Sequence, residues 1–227
     1  MSSSNYQHAV LMNNQGVQHF ERGQFEQARD NFREALEAIK GSMVDAKPTV
    51  SSHTTNASCG FRWSSDAPLH AELNLPVPAG ASFIFRRALV IVPVSNIPQP
   101  TTDLSEESTA VIYNLALSCL ILGFISNNSK LLRTGAKFFE IVLAIRCRKS
   151  ESVKLGWEEV LLDAAICNNL GWIYGEFCDY ALATQYFEQV SSRLNILGHG
   201  GFVCRQAYEG FITNLISGVH PHLAAAA

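Results

Sequence analysis

The segment Asn168-Asn169-Leu170-Gly171-Trp172-Ile173-Tyr174-Gly175 decides the fold, because Asn13-Asn14-Gln15-Gly16-Val17-Gln18-His19-Phe20 aligns with it without a gap. Internal repetition is the first property to seek, since a missed repeat misassigns the whole architecture. The two continuations keep the same spacing. Gly23-Gln24-Phe25-Glu26-Gln27-Ala28, with Phe32 and Ala35, matches Cys178-Asp179-Tyr180-Ala181-Leu182-Ala183, with Phe187 and Val190. Gly16 and Gly171 permit close approach of a second helix, and the spacing places Ala28 and Ala183 opposite them. Phe32 and Ala35, or Phe187 and Val190, follow at helical spacing on the face returning to the first helix.

Between these copies lies a degenerate third. Ile112, Leu115, Ala116 and Cys119 occupy the small-residue face of its first helix, and Gly135, Phe139 and Val142 that of its second. The interval from Ala116 to Gly135 exceeds that from Gly16 to Ala28 by seven residues, about two helical turns. Asn127-Asn128-Ser129 supplies its turn.

These segments resemble tetratricopeptide repeats, whose signature is W-x2-L-G-x2-Y followed by A-x3-F. The better match runs Leu170-Gly171, Tyr174, Ala183, Phe187. The first copy has Gln15 for the leucine and His19 for the tyrosine, and Met12 and Cys167 stand where the leading tryptophan would be. The resemblance implies an all-α fold of about three antiparallel helix pairs that serves as a protein-binding scaffold. Repeat 1 spans 1–40, degenerate repeat 2 spans 101–149 and repeat 3 spans 155–196, followed by a capping helix over 201–217. Such a helix covers an exposed terminal face.

An insertion over 41–100 interrupts the repeats. Gly41 is expected to end the second helix, and the Ser-, Thr- and Pro-rich stretch to Pro68 reads as a mobile loop. Leu69, Ala71, Leu73 and Leu75 then alternate with polar residues, and Ser82–Val92 is rich in Phe, Ile and Val. Together they predict a short β-hairpin, with a short helix over Phe83–Leu89 as the alternative.

Composition narrows the function. Hydrophobic residues make up 47% of 227, sufficient for a core. A formal charge of −3 without a basic run argues against nucleic-acid binding. The apolar stretch Thr109–Ile125 includes Asn114, Ser118 and Cys119 and reads as a buried helix, not a membrane span. The polar N-terminal octet lacks a secretory pattern, which points to the cytoplasm or nucleus. Six cysteines without a CxxC pair, five of them in helical stretches, read as reduced core thiols.

No catalytic, cofactor-binding or metal-ligating pattern emerges. The histidines fall outside HExxH and zinc spacings, no GxSxG is present, and Gly198-His199-Gly200-Gly201 reads as a helix stop. Glu158-Glu159 reads as a solvated first turn, because adjacent helical residues diverge by about 100°. What the resemblance to tetratricopeptide repeats implies is recognition of a peptide or protein segment in a concave groove lined by the first helices. The alignment places Asn13, Val17, Phe20, Tyr113, Leu117, Leu120, Asn168 and Trp172 toward it. The opposing expectation is that the inserted hairpin or the terminal helix fills that groove. An enzyme with an unrecognised site and a homo-oligomer pairing through residues such as Trp172 are the alternatives. Asn14, Asn114 and Asn169 recur at one place in the three copies, with no Lys or Arg in Met1–Glu21, Thr101–Ser129 or Leu155–Ser192.

Overall fold

The computed structural model describes residues 3–44, 60–64, 83–92, 104–149, 156–198 and 205–219. These are mostly helical, with one two-stranded sheet. The helices are α1 (Ser3–Glu21), α2 (Phe25–Val44), α3 (Ser105–Ile125), α4 (Ser129–Lys149), α5 (Trp157–Glu176), α6 (Tyr180–Gly198) and α7 (Arg205–Val219). The strands are β1 (Gly60–Trp63) and β2 (Leu89–Val92). Two compact units form, the first from Met1–Ser65 and Arg87–Ile145, the second from Asp66–Arg86 and Arg146–Ala227.

Three hairpins pair α1 with α2, α3 with α4, and α5 with α6, and their turns share one construction. Gly23, Asn127 and Cys178 each adopt a left-handed backbone, at φ 74°, 49° and 59°. The next residue's N–H returns to a carbonyl five residues back: Gln24 to His19 at 2.9 Å, Asn128 to Gly123 at 2.8 Å, Asp179 to Tyr174 at 2.9 Å. This closes the C-terminus of each first helix by satisfying a carbonyl left over at its end. The side chains of Asn128 and Asp179 then cap the following helix, accepting from Lys130 N–H at 3.0 Å and Leu182 N–H at 3.2 Å. The longer middle hairpin keeps this turn. Its seven extra residues lie as four between Asn114 and Asn127 and three between Asn127 and Gly135, so both helices are extended and the connection is unchanged.

Close packing at the small residues has different partners from those the spacing indicates. A Cβ added at Gly16 would lie 2.5 Å from the Phe32 ring, and one at Gly171 would lie 2.7 Å from the Phe187 ring. The aromatic of A-x3-F, rather than Ala28 or Ala183, therefore sits over the glycine, because a ring reaches across the helix crossing and a methyl does not. In the middle pair the glycine belongs to the second helix. A Cβ on Gly135 would meet Ala116 O at 3.1 Å and Leu120 N at 3.3 Å, so α3 and α4 touch backbone to backbone.

Other expectations are corrected. Gly41 lies inside α2, which runs on to Val44. A single glycine costs a helix only about 1 kcal/mol, and packing on that helix outweighs it. The hairpin's second strand falls within Ser82–Val92, but its partner is Gly60–Trp63, antiparallel with Trp63 opposite Leu89 and Phe61 opposite Ile91. Leu69–Leu75 lie outside the described residues. Residues 83–88 form no helix. Of the thiols, Cys119 and Cys167 are buried, whereas Cys147 and Cys178 are exposed, Cys178 in the turn. Cys59 and Cys204 lie outside the described residues, as do His199, Gly200 and Gly201.

α3 and α5, the first helices of the middle and last hairpins, are the most continuously buried. α3 is buried without a break from Glu107 to Gly123 and α5 from Val160 to Ile173. α3 is long and apolar enough to cross a membrane, and 89% of its most apolar window is buried within the protein. At the start of α5, Gly156 N–H donates to Glu159 at 2.8 Å, so Glu159 closes the helix end instead of facing solvent alone. Arg146 reaches Asp163 at 2.5 Å and the Glu159 carbonyl at 3.0 Å, which compensates two buried charges.

Candidate functional site

Six buried or half-buried asparagines on the first helices and α7 hold the inserted segment by its backbone. In the first unit, Asn114 on α3 grips one residue twice. Leu89 N–H donates to its Oδ1 at 2.7 Å, and its Nδ2 donates to Leu89 O at 2.8 Å. Asn14 on α1 holds Ile91 in the same manner, with both bonds at 3.0 Å. Asn13 ties these together. Its Nδ2 donates to Leu89 O at 3.0 Å and to Asn14 Oδ1 at 3.1 Å, and its Oδ1 accepts from Asn114 Nδ2 at 2.9 Å.

The second unit repeats the device bond for bond. Asn214 on α7 grips Phe83 with both bonds at 2.6 Å, and Asn169 on α5 grips Phe85 at 2.9 and 3.0 Å. Asn168 stands in the place of Asn13. It donates to Phe83 O at 2.9 Å and to Asn169 Oδ1 at 3.2 Å, and it accepts from Asn214 at 2.7 Å. Every donor and acceptor of the central asparagine is used in both units, which fixes the amide orientations and makes each network rigid.

Strand geometry explains why alternate residues are taken. Successive peptide groups of an extended chain point to opposite edges. On one edge, Ser64 N–H donates to Ala88 O at 2.8 Å, and the register then places the hydrogen-bonded pairs at Val90 with Arg62 and Val92 with Gly60. The odd-numbered residues face the other edge, where asparagines replace a third strand. Tyr113 completes that edge by donating its hydroxyl to Arg87 O at 3.0 Å. Burial pushes the Tyr113 phenol above its ordinary range, so it stays a donor at any physiological pH. Trp63 meets its ring edge-on at 5.9 Å.

All eight residues expected to line a groove are buried: Asn13, Val17, Phe20, Tyr113, Leu117, Leu120, Asn168 and Trp172. Asn13, Tyr113 and Asn168 bond directly to the inserted segment. Phe20 packs on Phe25 at the hairpin end, their rings 5.1 Å apart. Sequence reasoning picked out Asn14, Asn114 and Asn169 as a recurrence and named no partner for them in the insertion. They hold the insertion. Asn214 was missed, although Asn214-Leu215 repeats the Asn-Leu pair of Asn114-Leu115 and Asn169-Leu170; Asn74-Leu75 shows the same pair, so the dipeptide alone did not single it out. α7 thus supplies a clamp residue as well as cover.

Burial also raises the two core thiols, Cys119 to about 11 against the opposing pull of Arg29 and Arg33, and Cys167 to about 12. Neither is poised as a nucleophile. No group of three His, Cys, Asp or Glu able to hold a metal occurs among the described residues. Compared with known protein families, curated proteins and solved structures, the chain matches none.

Proposed function

We propose that this chain is a non-catalytic, tetratricopeptide-like scaffold whose asparagine-bearing face, filled here by the chain's own Phe83, Phe85, Leu89 and Ile91, takes an extended protein or peptide segment in their place. The observation that carries this reading is the double grip on single residues. An asparagine that takes both N–H and C=O of one residue recognises main chain in the extended state, whatever side chain is attached. That is the chemistry of β-augmentation with amides in place of a strand edge. The face is apolar around these amides and carries no cation on the first helices' central turns, which favours neutral or apolar segments over acidic ones. Charge-assisted bonds are roughly twice as strong as neutral ones, and the groups to form them with a carboxylate are missing there. The reading includes residence in the cytoplasm or nucleus and no role for nucleic acid, membrane, metal or cofactor.

A display library of random decapeptides selected on the immobilised full chain tests this. Enriched peptides should be neutral, should lose binding when Asn14 and Asn169 are changed to alanine, and should not be displaced by a peptide with an acidic C-terminal tail. Salt-sensitive micromolar binding of such an acidic tail, or enriched peptides indifferent to both asparagines, would sink the reading.

A further inference from the structure

The second unit packs two aromatic rings spaced two residues apart, Phe83 and Phe85, against α7. Asn214 and Asn169 fix Phe83 and Phe85 by their backbones, so both rings leave the extended chain on the same side. The Phe83 ring lies over Gly210, where any Cβ would collide with it. The Phe211 ring meets Phe83 edge-on at 5.4 Å and stacks on Phe85 at 5.6 Å with 9° between planes. Gly210 lies under one ring and Phe211 is a flat partner for the other, and such aromatic contacts add to simple burial.

None of these contacts depends on the covalent link between the segment and the rest of the chain. The resident segment also carries a cost. Arg86, directly after the pair, is half-buried and has no hydrogen-bond or ion-pair partner among the described residues. Its guanidinium is correspondingly destabilised by desolvation. A segment with a neutral residue there would avoid that cost.

We infer that the second unit recognises partner segments carrying aromatic-x-aromatic in extended conformation, and that Phe83-Ile84-Phe85 is the internal occupant such a partner displaces. This rests on the binding role proposed above for the asparagine face, and specifies its ligand. A tethered occupant competes at an effective concentration of roughly millimolar, so a free peptide gains access mainly when the tethered one is weakened.

The test uses the full chain carrying Phe83→Ser and Phe85→Ser together, and a fluorescein-labelled heptapeptide with the sequence from Ala81 to Arg87. Fluorescence anisotropy should show saturable binding at least about tenfold tighter than to the unaltered chain. Adding Asn169→Ala should weaken it about tenfold or more, because two backbone bonds are lost. The same peptide with alanine at the Arg86 position should bind more tightly. If the double variant is unfolded by circular dichroism, the heptapeptide should restore helix, as any ligand of the folded state must. Failure to restore it counts against the inference. A control peptide with the two phenylalanines adjacent should not bind. Equal binding of that control overturns the aromatic spacing while leaving the asparagine face as a peptide site. Absence of binding by both peptides overturns the spacing and the face together.

Discussion

The two asparagine clamps share a hydrogen-bond diagram and differ in what fills it. In the first unit Asn13, Asn14 and Asn114 hold an aliphatic pair, Leu89 and Ile91, that also belongs to a strand paired with β1. In the second, Asn168, Asn169 and Asn214 hold an aromatic pair that belongs to no sheet among the described residues. Four residues before the clamp asparagine stands Ala110 in α3 and Gly210 in α7, and only the glycine leaves room for a ring. The comparison separates two layers of recognition. Amides read the main chain identically in both units, and the residues flanking them set which side chains are admitted.

The harshest way to break the comparison is to wedge a hairpin apart. Gly171→Leu drives a side chain into the Phe187 ring and should lower the stability of the second unit by on the order of 3 kcal/mol, the upper range for overpacking. Gly16→Leu should do the same to the first unit through Phe32. Thermal denaturation followed by circular dichroism measures both, and an unchanged midpoint for either variant would refute the close contact. A smaller effect distinguishes the clamps from each other. Asn169 is fully buried and Asn14 only half-buried, so Asn169→Ala strands the Phe85 N–H and C=O without water and should cost about 2 kcal/mol. Asn14→Ala should cost less, because water reaches its partners; equal losses in urea titrations would contradict this difference.

The repetition that defines the helix pairs was legible because small residues at a fixed interval and a following aromatic leave a mark in any sequence. The asparagines were legible as a recurrence, but not their partner. Phe83 lies 131 positions from Asn214, and no local periodicity links them. β1 was hidden inside a stretch whose Ser, Thr and Pro content reads as loop, since four residues of Gly-Phe-Arg-Trp carry too short a pattern to show alternation. The end of α2 was misplaced because glycine's helix penalty is small against packing. The glycine's true neighbour was misread because a large side chain one turn away can cover a gap that the nearest small residue only borders.

Among the described residues each unit also contains one buried thiol, which gives a matched pair of pH probes. Cys119 and Cys167 have folded-state values raised from 9.0 to about 11 and about 12. Above pH 9 the unfolded chain releases these protons first, so it binds fewer protons than the folded chain, and stability falls as pH rises. The contribution is intact below pH 9 and should decline by about 1 kcal/mol per thiol near pH 10. Denaturant titrations at pH 8 and 10 should show the stability lost over that interval reduced by about 1 kcal/mol by Cys119→Ala or Cys167→Ala; no change with either would refute it.

The smallest effect sharpens the comparison of the turns. Gly23 and Asn127 suit a left-handed backbone, whereas Cys178 at φ 59° carries a Cβ there. Cys178→Gly should raise stability by about 0.5 kcal/mol, the relief of that strain less the entropy of the unfolded glycine. A loss in calorimetric midpoint would instead assign the Cys178 side chain a stabilising role.

The wide separation between the clamped segment and its asparagines has a consequence for synthesis. Translation produces Phe83 long before Asn169 and Asn214, so during elongation two phenylalanines wait without the amides that will hold them. Local hairpins close early, and Phe83 and Phe85 must dock late, after loop closures of 131 residues to Asn214 and 84 to Asn169. In the interval the nascent chain exposes Phe83-Ile84-Phe85, a β-prone stretch of the kind that chaperones shield and that aggregates when left uncovered, whereas Leu89-Val90-Ile91 has all its amides once Asn114 is made.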